Sequence, residues 1–227
     1  MNNLHRLLYG KDMRRSTIIP VLHAVIFLIE VIALIHDIQV FGIGMFQYYT
    51  IDSNILQMLV SAGFLVCFIG KKDVPAALGT LHLVGAVSLT ITFLIAAFVL
   101  APQEGFAYYF LSDVAPINHF LGPLLSVATF LFPVQKNPLR KGSLFAPMTF
   151  TLLYGIIVLI LNAVRVLDGP YFFLKVHEVP AGTIALWFGI ISVMCLAFSA
   201  LYLYVRGKSA NMGTERTQKN ESRDLSP

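Results

Sequence analysis

Six long apolar runs constrain the fold of this chain more than any other feature. Each run approaches or exceeds the roughly 20 residues that an α-helix needs to cross the hydrocarbon core of a bilayer. Only 12% of the residues are charged, against about 25% in soluble domains. The sequence therefore predicts an all-α, polytopic membrane bundle of six transmembrane helices, which cover residues 16–40, 46–69, 76–100, 115–134, 146–164 and 183–205.

The positions of the basic residues predict the orientation of this bundle. In a six-helix arrangement, all Lys and Arg residues except Arg165 and Lys175 fall on one side, together with both termini. Cytoplasmic loops of membrane proteins carry an excess of Lys and Arg, so both termini are expected in the cytoplasm. The net charge of +4 is then explained by topology, and no nucleic-acid partner is predicted.

The sequence divides into three parts. Residues 1–15 form a basic cytoplasmic tail, residues 16–206 form the transmembrane domain, and residues 207–227 form a second cytoplasmic tail. The second tail contains no aromatic and no apolar β-branched residue, a composition that cannot bury enough apolar surface to fold. We therefore expect residues 207–227 to be disordered.

Polar side chains are concentrated where the second apolar run begins, in the segment "MFQYYTIDSNILQM" at residues 45–58. Polar groups are costly in hydrocarbon and usually have a functional reason to be there. Thr50, Ser53, Asn54 and Gln57 follow the spacing i, i+3, i+4 and i+7, which places them on one helix face. Asp52 lies off this face. The face should point into the bundle, where polar groups can find partners.

Other runs carry polar residues at a similar depth on the same side of the membrane. These are Asp37 of the first run, Asn118 and His119 of the fourth, and Asn162 and Arg165 of the fifth. Glu30 lies deeper on the first run, where a carboxylate must be paired or protonated. The convergence predicts a site near the outer face. Each Ser, Asn or Gln taken singly can also serve only to hold helices together, and Asp37, Asp52 and Arg165 can equally form structural ion pairs.

The residue types in this cluster favour acyl-transfer chemistry. A threonine hydroxyl such as that of Thr50 is a poor nucleophile until a base accepts its proton, a role open to the His119 imidazole. Amide donors such as Asn54 or Asn118 could stabilise an oxyanion. The histidines are scattered without the spacing of metal ligands, so neither a metal nor another cofactor is predicted.

Two segments, "FQYYTIDSNILQ" and "APINHFLGPLL", resemble the androgen-induced family of six-helix membrane proteins. That resemblance implies hydrolysis of fatty-acid esters of hydroxy fatty acids, with Thr50 as the nucleophile and His119 in the conserved Asn-His pair. The eukaryotic pattern has a second histidine three residues later, where this chain has Gly122. The segment "DGPYFFL" at residues 168–174 resembles prokaryotic relatives, which implies the plasma membrane of a prokaryote.

The leading hypothesis is an intramembrane lipid ester hydrolase with a Thr50–His119 dyad. The residues expected to line its substrate site are Glu30, Asp37, Asp52, Asn54, Asn118, Asn162 and Arg165. Two alternatives stay open: a proton-coupled carrier that uses Glu30, Asp37 and His119, and a scaffold without catalytic activity. The expected partners are a fatty-acid ester and the membrane itself, and the sequence leaves the oligomeric state open.

Overall fold

The computed structural model describes residues 2–131, 139–140 and 142–224, with side chains described for 18–131, 139–140 and 142–208. Helices account for 84% of the structure, and the described residues contain no strand. The prediction of an all-α fold is confirmed.

The helices follow one another with short connections. In chain order they are α1 (Asn2–Phe41), α2 (Tyr49–Ile69), α3 (Ala76–Ile95), α4 (Ala101–Glu104), α5 (Phe106–Phe110), α6 (Gly122–Leu131), α7 (Ala146–Ala163) and α8 (Ala181–Asp224). Short 3₁₀ turns occupy Gly42–Gln47, Ser143–Phe145 and Phe172–Leu174. Two π turns complete the helical structure: Ala96–Leu100 joins α3 to α4, and Ile117–Leu121 leads directly into α6.

Five helical segments are long and apolar enough to cross a membrane, which indicates a multi-pass membrane protein. They are Ile18–Gln47, Tyr49–Ile69, Ala76–Glu104, Ser143–Ala163 and Ala181–Lys208. The predicted fourth span corresponds to the shorter apolar helix Ile117–Leu131. A five-residue π turn and a ten-residue α-helix cover about 23 Å, less than the roughly 30 Å hydrocarbon core. The end of this predicted span, residues 132–134, lies outside the described residues, so the sixth span stays a prediction.

The two faces of α1 show which solvent the bundle is built for. Its exposed face is apolar and includes Leu28, Ile32 and Ile35, each more than half exposed. Its buried face includes His23, Glu30 and Asp37, none more than 3% exposed. This pattern is the reverse of a helix in a water-soluble protein, and it is the arrangement expected where the surroundings are lipid.

Helix α3 is the centre of the bundle. It contacts α2, α6, α7 and α8, and Leu83, Ala86, Val87 and Leu89 on it are fully buried. Helix α1 packs against α2 and α6 on one side. Helix α7 packs against α3 and α8 on the other. Helix α2 therefore borders two separate interior regions, and each region contains polar groups.

The last helix differs from expectation at its far end. Helix α8 continues to Asp224, through a segment for which the sequence predicts disorder. Glu, Arg, Gln and Lys are frequent in this segment and have high helix propensity, which accounts for the helical backbone there. The assignment of both tails to the cytoplasm and the division at residues 15 and 207 stay predictions.

Candidate functional site

The predicted site residues fall into two groups rather than one. The first group, which we call the acceptor cluster, consists of Glu30, Asp37, Asn54 and Asn118 between α1, α2 and the π turn before α6. The second, which we call the threonine cavity, is a partly open space that Thr50 borders together with α3, α7, α8 and the turn at Phe172–Leu174.

Hydrogen bonds join three helical elements in the acceptor cluster. Asn118 Nδ2 donates to Asp37 Oδ2 at 3.1 Å. Asn54 Nδ2 donates to the backbone carbonyl of Asn118 at 3.1 Å and to that of Thr50 at 2.9 Å. All three amide or carboxyl side chains are 6% exposed or less. The amide nitrogens expected to serve as oxyanion donors are therefore already used to hold the helices together.

Gly122 closes the space beside this cluster. A Cβ atom at this position would lie 2.5 Å from Glu30 Oε1 and 2.8 Å from Asn54 Oδ1, closer than real Cβ contacts allow. The second histidine of the resembled eukaryotic pattern belongs at this position. The packing observed here leaves no room for that side chain, so the chain departs from the pattern for a steric reason.

The threonine cavity is largely apolar and has a volume of about 50 Å³ that is free for water-sized molecules. Aliphatic and aromatic side chains such as Ile91, Ile95 and Phe188 form most of its wall. Thr50 and Thr151 also border it. An apolar cavity with a few polar groups at fixed positions is typical of small-molecule sites.

Tyr171 contacts Thr50 in this cavity. Burial raises the pKa of the Tyr171 phenol to about 12, against a smaller opposite effect from its hydrogen bonds to the Thr50 side chain and backbone. The phenol therefore remains protonated, and able to donate a hydrogen bond, well above neutral pH. Sequence reasoning missed Tyr171 as a site residue, although the segment "DGPYFFL" contains it.

Asn162 holds the loop that carries Tyr171. Its Nδ2 donates to the Leu167 carbonyl at 3.0 Å, and its Oδ1 accepts from the Val176 backbone N–H at 2.7 Å. Gly169 between these points adopts a φ of +83°, a conformation that glycine adopts without strain. Asn162 thus lies at the base of the site as a positioning residue and does not line the cavity.

His119 is not among the residues that border the cavity. Its ring packs edge-on against Tyr109, with the ring centroids 5.3 Å apart, and its buried Nδ1 has no hydrogen-bond partner among the described residues. The Asn54 amide links the two segments, because it bonds the carbonyls of both Thr50 and the neighbouring Asn118. The structure thus places the backbone segments that carry Thr50 and His119 close together.

Asp52 and Arg165 lie outside both groups. Asp52 borders a separate groove between the turn at Gly42–Gln47 and α7, beside Gln47 and Tyr154. Arg165 is exposed just beyond the end of α7, with a φ of +60°. The structure therefore does not bring either side chain to the acceptor cluster or to the threonine cavity.

Within the described residues, no group of three or more His, Cys, Asp or Glu side chains is placed to hold a metal ion. Compared with known protein families, with characterised proteins and with solved structures, the chain shows no match. The fold and the buried polar groups define a helical protein with the features of a multi-pass membrane protein. The likeness to the androgen-induced family stays a resemblance in short segments.

Proposed function

We propose that this protein is a membrane-embedded lipid ester hydrolase in which Thr50 is the nucleophile and His119 is the base. The position of Thr50 supports this most: its side chain borders a largely apolar cavity and contacts the phenol of Tyr171. The apolar walls suit the acyl chain of a fatty-acid ester, which widens the cavity as it enters, with the ester group held beside Thr50. The short resemblance to hydrolases of fatty-acid esters of hydroxy fatty acids favours the same substrate class.

The reaction proceeds in two steps. Thr50 Oγ1 attacks the ester carbonyl carbon and its proton passes to the His119 imidazole, which then protonates the departing alcohol. Tyr171 donates a hydrogen bond to the oxyanion as it forms. In the second step His119 takes a proton from water, the resulting hydroxide attacks the acyl-threonine, and the fatty acid leaves as the Thr50 hydroxyl is restored.

The base must approach Thr50 when substrate binds. His119 lies in the π turn Ile117–Leu121, and π turns inside helices are frequent at functional sites. Its buried Nδ1 has no hydrogen-bond partner within the described part of the chain, and catalytic hydrogen bonds often form only in the substrate complex. The proposal therefore includes rotation of the imidazole from Tyr109 toward Thr50.

The other predicted residues support the site from outside the cavity. Asp37, Asn54 and Asn118 fix the segments that carry Thr50 and His119. Arg165, being exposed, is placed to bind the free carboxylate of a branched fatty acid at the membrane surface. With the termini in the cytoplasm of a prokaryotic cell, this end of the bundle faces the outer leaflet of the plasma membrane.

Hydrolysis of a fluorogenic long-chain fatty-acid ester by detergent-purified protein tests this proposal. Thr50→Ala and His119→Ala should each lower the rate by about 10³-fold or more with folding intact, while Thr50→Ser should keep part of the activity. Thr149→Ala is the matched control, because this threonine is exposed on α7 and bonds only its own helix carbonyl. Wild-type protein that hydrolyses no ester of any acyl length contradicts the proposal.

A proton-coupled carrier is the second candidate, and the buried face of α1 favours it. His23, Glu30 and Asp37 recur every seven residues on that face and together cover about 21 Å of a core of roughly 30 Å. His23 Nδ1 forms a hydrogen bond with Ser61 Oγ at 3.2 Å, which extends this row of polar groups to α2. Proton flux into liposomes that is lost in Glu30→Gln would support the carrier.

A scaffold without catalytic activity makes a different prediction. Thr50→Ala and His119→Ala would then lower thermal stability and have no effect on any activity or ligand binding.

A further inference from the structure

We propose that Glu30, Asn54 and the carbonyl of Ile117 form a binding site for a monovalent cation beside Gly122. The oxygens of these three residues lie close together around the Cα of Gly122. A Cβ atom on Gly122 would lie 2.5 Å from Glu30 Oε1, 2.8 Å from Asn54 Oδ1 and 3.0 Å from the Ile117 carbonyl oxygen. These are a carboxylate, an amide oxygen and a backbone carbonyl, the ligand types that hard cations prefer.

The orientation of the Asn54 amide is determined by its hydrogen bonds. Its Nδ2 donates to two backbone carbonyls, those of Thr50 and Asn118, so its Oδ1 must be the atom on the side of Glu30. Neither Asn54 Oδ1 nor Glu30 Oε1 has a hydrogen-bond donor in the described part of the chain. Both oxygens lie within 2.8 Å of the Cβ position of Gly122, and two buried acceptors this close to one another are unfavourable unless a cation or a donor lies between them.

The carboxylate of Glu30 indicates that the bound ion carries a single positive charge. Glu30 is 2% exposed, and no ion pair among the described residues includes it, since those pairs are His36–Asp37 and Lys175–Glu178. Asp37 is the other carboxylate in the cluster, and it already accepts hydrogen bonds from Asn118 and His36. In its ionised form, the Glu30 carboxylate is neutralised by one monovalent cation such as Na⁺.

Further oxygens are available to complete the coordination. Asn118 Oδ1 and Ser126 Oγ are also buried without hydrogen-bond partners among the residues that the structure describes, and Ser126 lies one helical turn below Gly122 on the same face of α6. The Ile117 carbonyl accepts the Gly122 backbone N–H and still has a second lone pair. A bound cation would tie α1, α2 and the π turn together, and this role requires neither ester hydrolysis nor transport.

Thermal unfolding of the full chain in detergent tests the site. The protein is compared in NaCl, KCl, MgCl₂ and N-methylglucamine chloride at equal ionic strength. At a Na⁺ concentration tenfold above its Kd, the unfolding temperature should rise by about 3 to 5 °C over N-methylglucamine. Binding of radioactive ²²Na⁺ to the purified protein, with one ion per chain, is the direct measurement.

Glu30→Gln should abolish the Na⁺ effect and the ²²Na⁺ binding. The variant keeps the shape of the side chain, removes its charge and supplies an amide donor to Asn54 Oδ1, so it should fold. Glu178→Gln is the matched control, because Glu178 is exposed, and it should respond to Na⁺ as the wild type does. Gly122→Ala is a second variant, in which the added methyl group would press against the three oxygens and move them away from a bound ion.

Three results would overturn the proposal. One is a wild-type protein that binds no ²²Na⁺ and unfolds at the same temperature in every salt. Another is a Na⁺ effect that persists in Glu30→Gln, which would be a general salt effect. The third is stabilisation by Mg²⁺ without Na⁺, which would show a divalent ion in the cluster. If Glu30→Gln does not fold, ²²Na⁺ binding to the wild type still decides between these results.

Discussion

The acceptor cluster and the threonine cavity share helix α2 but differ in packing and polarity. In the cluster, the amide nitrogens of Asn54 and Asn118 are all engaged and oxygens crowd the face of Gly122. In the cavity, a few polar residues lie among apolar walls around a small free volume. The cluster thus holds helices together at close range, whereas the cavity leaves a free volume beside Thr50. Substitutions in the first should act on stability, and substitutions in the second on activity.

The largest effect is expected for Tyr171→Phe in the cavity. Removal of one donor to a developing oxyanion typically lowers the rate by about 10² to 10³-fold, and the ring of Tyr171 would remain in place to fill its position. Hydrolysis of the fluorogenic ester and thermal unfolding should be measured together. We expect a large loss of kcat with an unfolding temperature within a few degrees of the wild type.

The control for this experiment is Tyr204→Phe, which removes an exposed phenol on α8. It should leave both kcat and stability unchanged. Because the pKa of Tyr171 is raised to about 12, ionisation of this phenol should not reduce the wild-type rate near pH 10, where a free tyrosine ionises. Full activity in Tyr171→Phe would remove the proposed oxyanion donor and leave the cavity as a binding space only.

The next largest effect is expected for Gly122→Ala in the acceptor cluster. The added methyl group would meet Glu30 Oε1 and Asn54 Oδ1, so one of the surrounding helices must shift. We expect the free energy of unfolding to fall by about 2 to 3 kcal/mol, which thermal unfolding would detect.

Gly189→Ala on α8 is the matched control for Gly122→Ala, since no described atom lies within 4 Å of its added Cβ. That change should be neutral or stabilising by up to about 1 kcal/mol. Equal effects at the two positions would contradict the packing described for the cluster.

Asn118→Ala should weaken the same cluster by a somewhat smaller amount. It removes the donor to Asp37 Oδ2 and leaves that buried oxygen without its amide partner, at a cost of about 2 kcal/mol. The backbone carbonyl that accepts from Asn54 remains. Thermal unfolding should show this loss of stability. The control is Gln103→Ala, which removes an exposed amide in α4 and should leave stability unchanged. A stable Asn118→Ala protein would show that the cluster contributes little to holding α1 in place.

The sequence predicted the helical class and the buried polar face of α1 and α2 because both follow directly from spacing. Apolar runs of more than about 20 residues admit few other folds, and polar residues at i, i+3, i+4 and i+7 must share a face. The all-α fold is confirmed, and Asn54 and Asn118 do meet across helices. The sixth span is not confirmed, because spacing alone does not determine how far the helix Ile117–Leu131 continues.

The division of the polar residues into two groups could not be predicted from spacing. Depth along a helix places Thr50, Asn54, Asn118 and His119 at the same level, but the neighbour that each side chain faces depends on helix rotation and packing. The contact between Thr50 and Tyr171 joins residues more than 100 positions apart in the chain. A loop folded back by Asn162 and Gly169 creates that contact, and no periodic pattern encodes it.

Gly155→Ala provides the sharpest comparison with Gly122→Ala, because the same methyl group is added in the other region. A Cβ on Gly155 would lie 3.0 Å from Cζ of the Phe188 ring, and both residues border the threonine cavity. The ring can move a few tenths of an ångström into that space, so the free energy of unfolding should change by less than about 1 kcal/mol.

The added methyl group of Gly155→Ala also makes the threonine cavity smaller. We therefore expect KM for long-chain esters to rise several-fold while short-chain esters react as in the wild type, measured over a series of acyl lengths. A loss of stability as large as that of Gly122→Ala would mean that the cavity wall is as tightly packed as the acceptor cluster. An unchanged chain-length profile would mean that the acyl chain binds elsewhere.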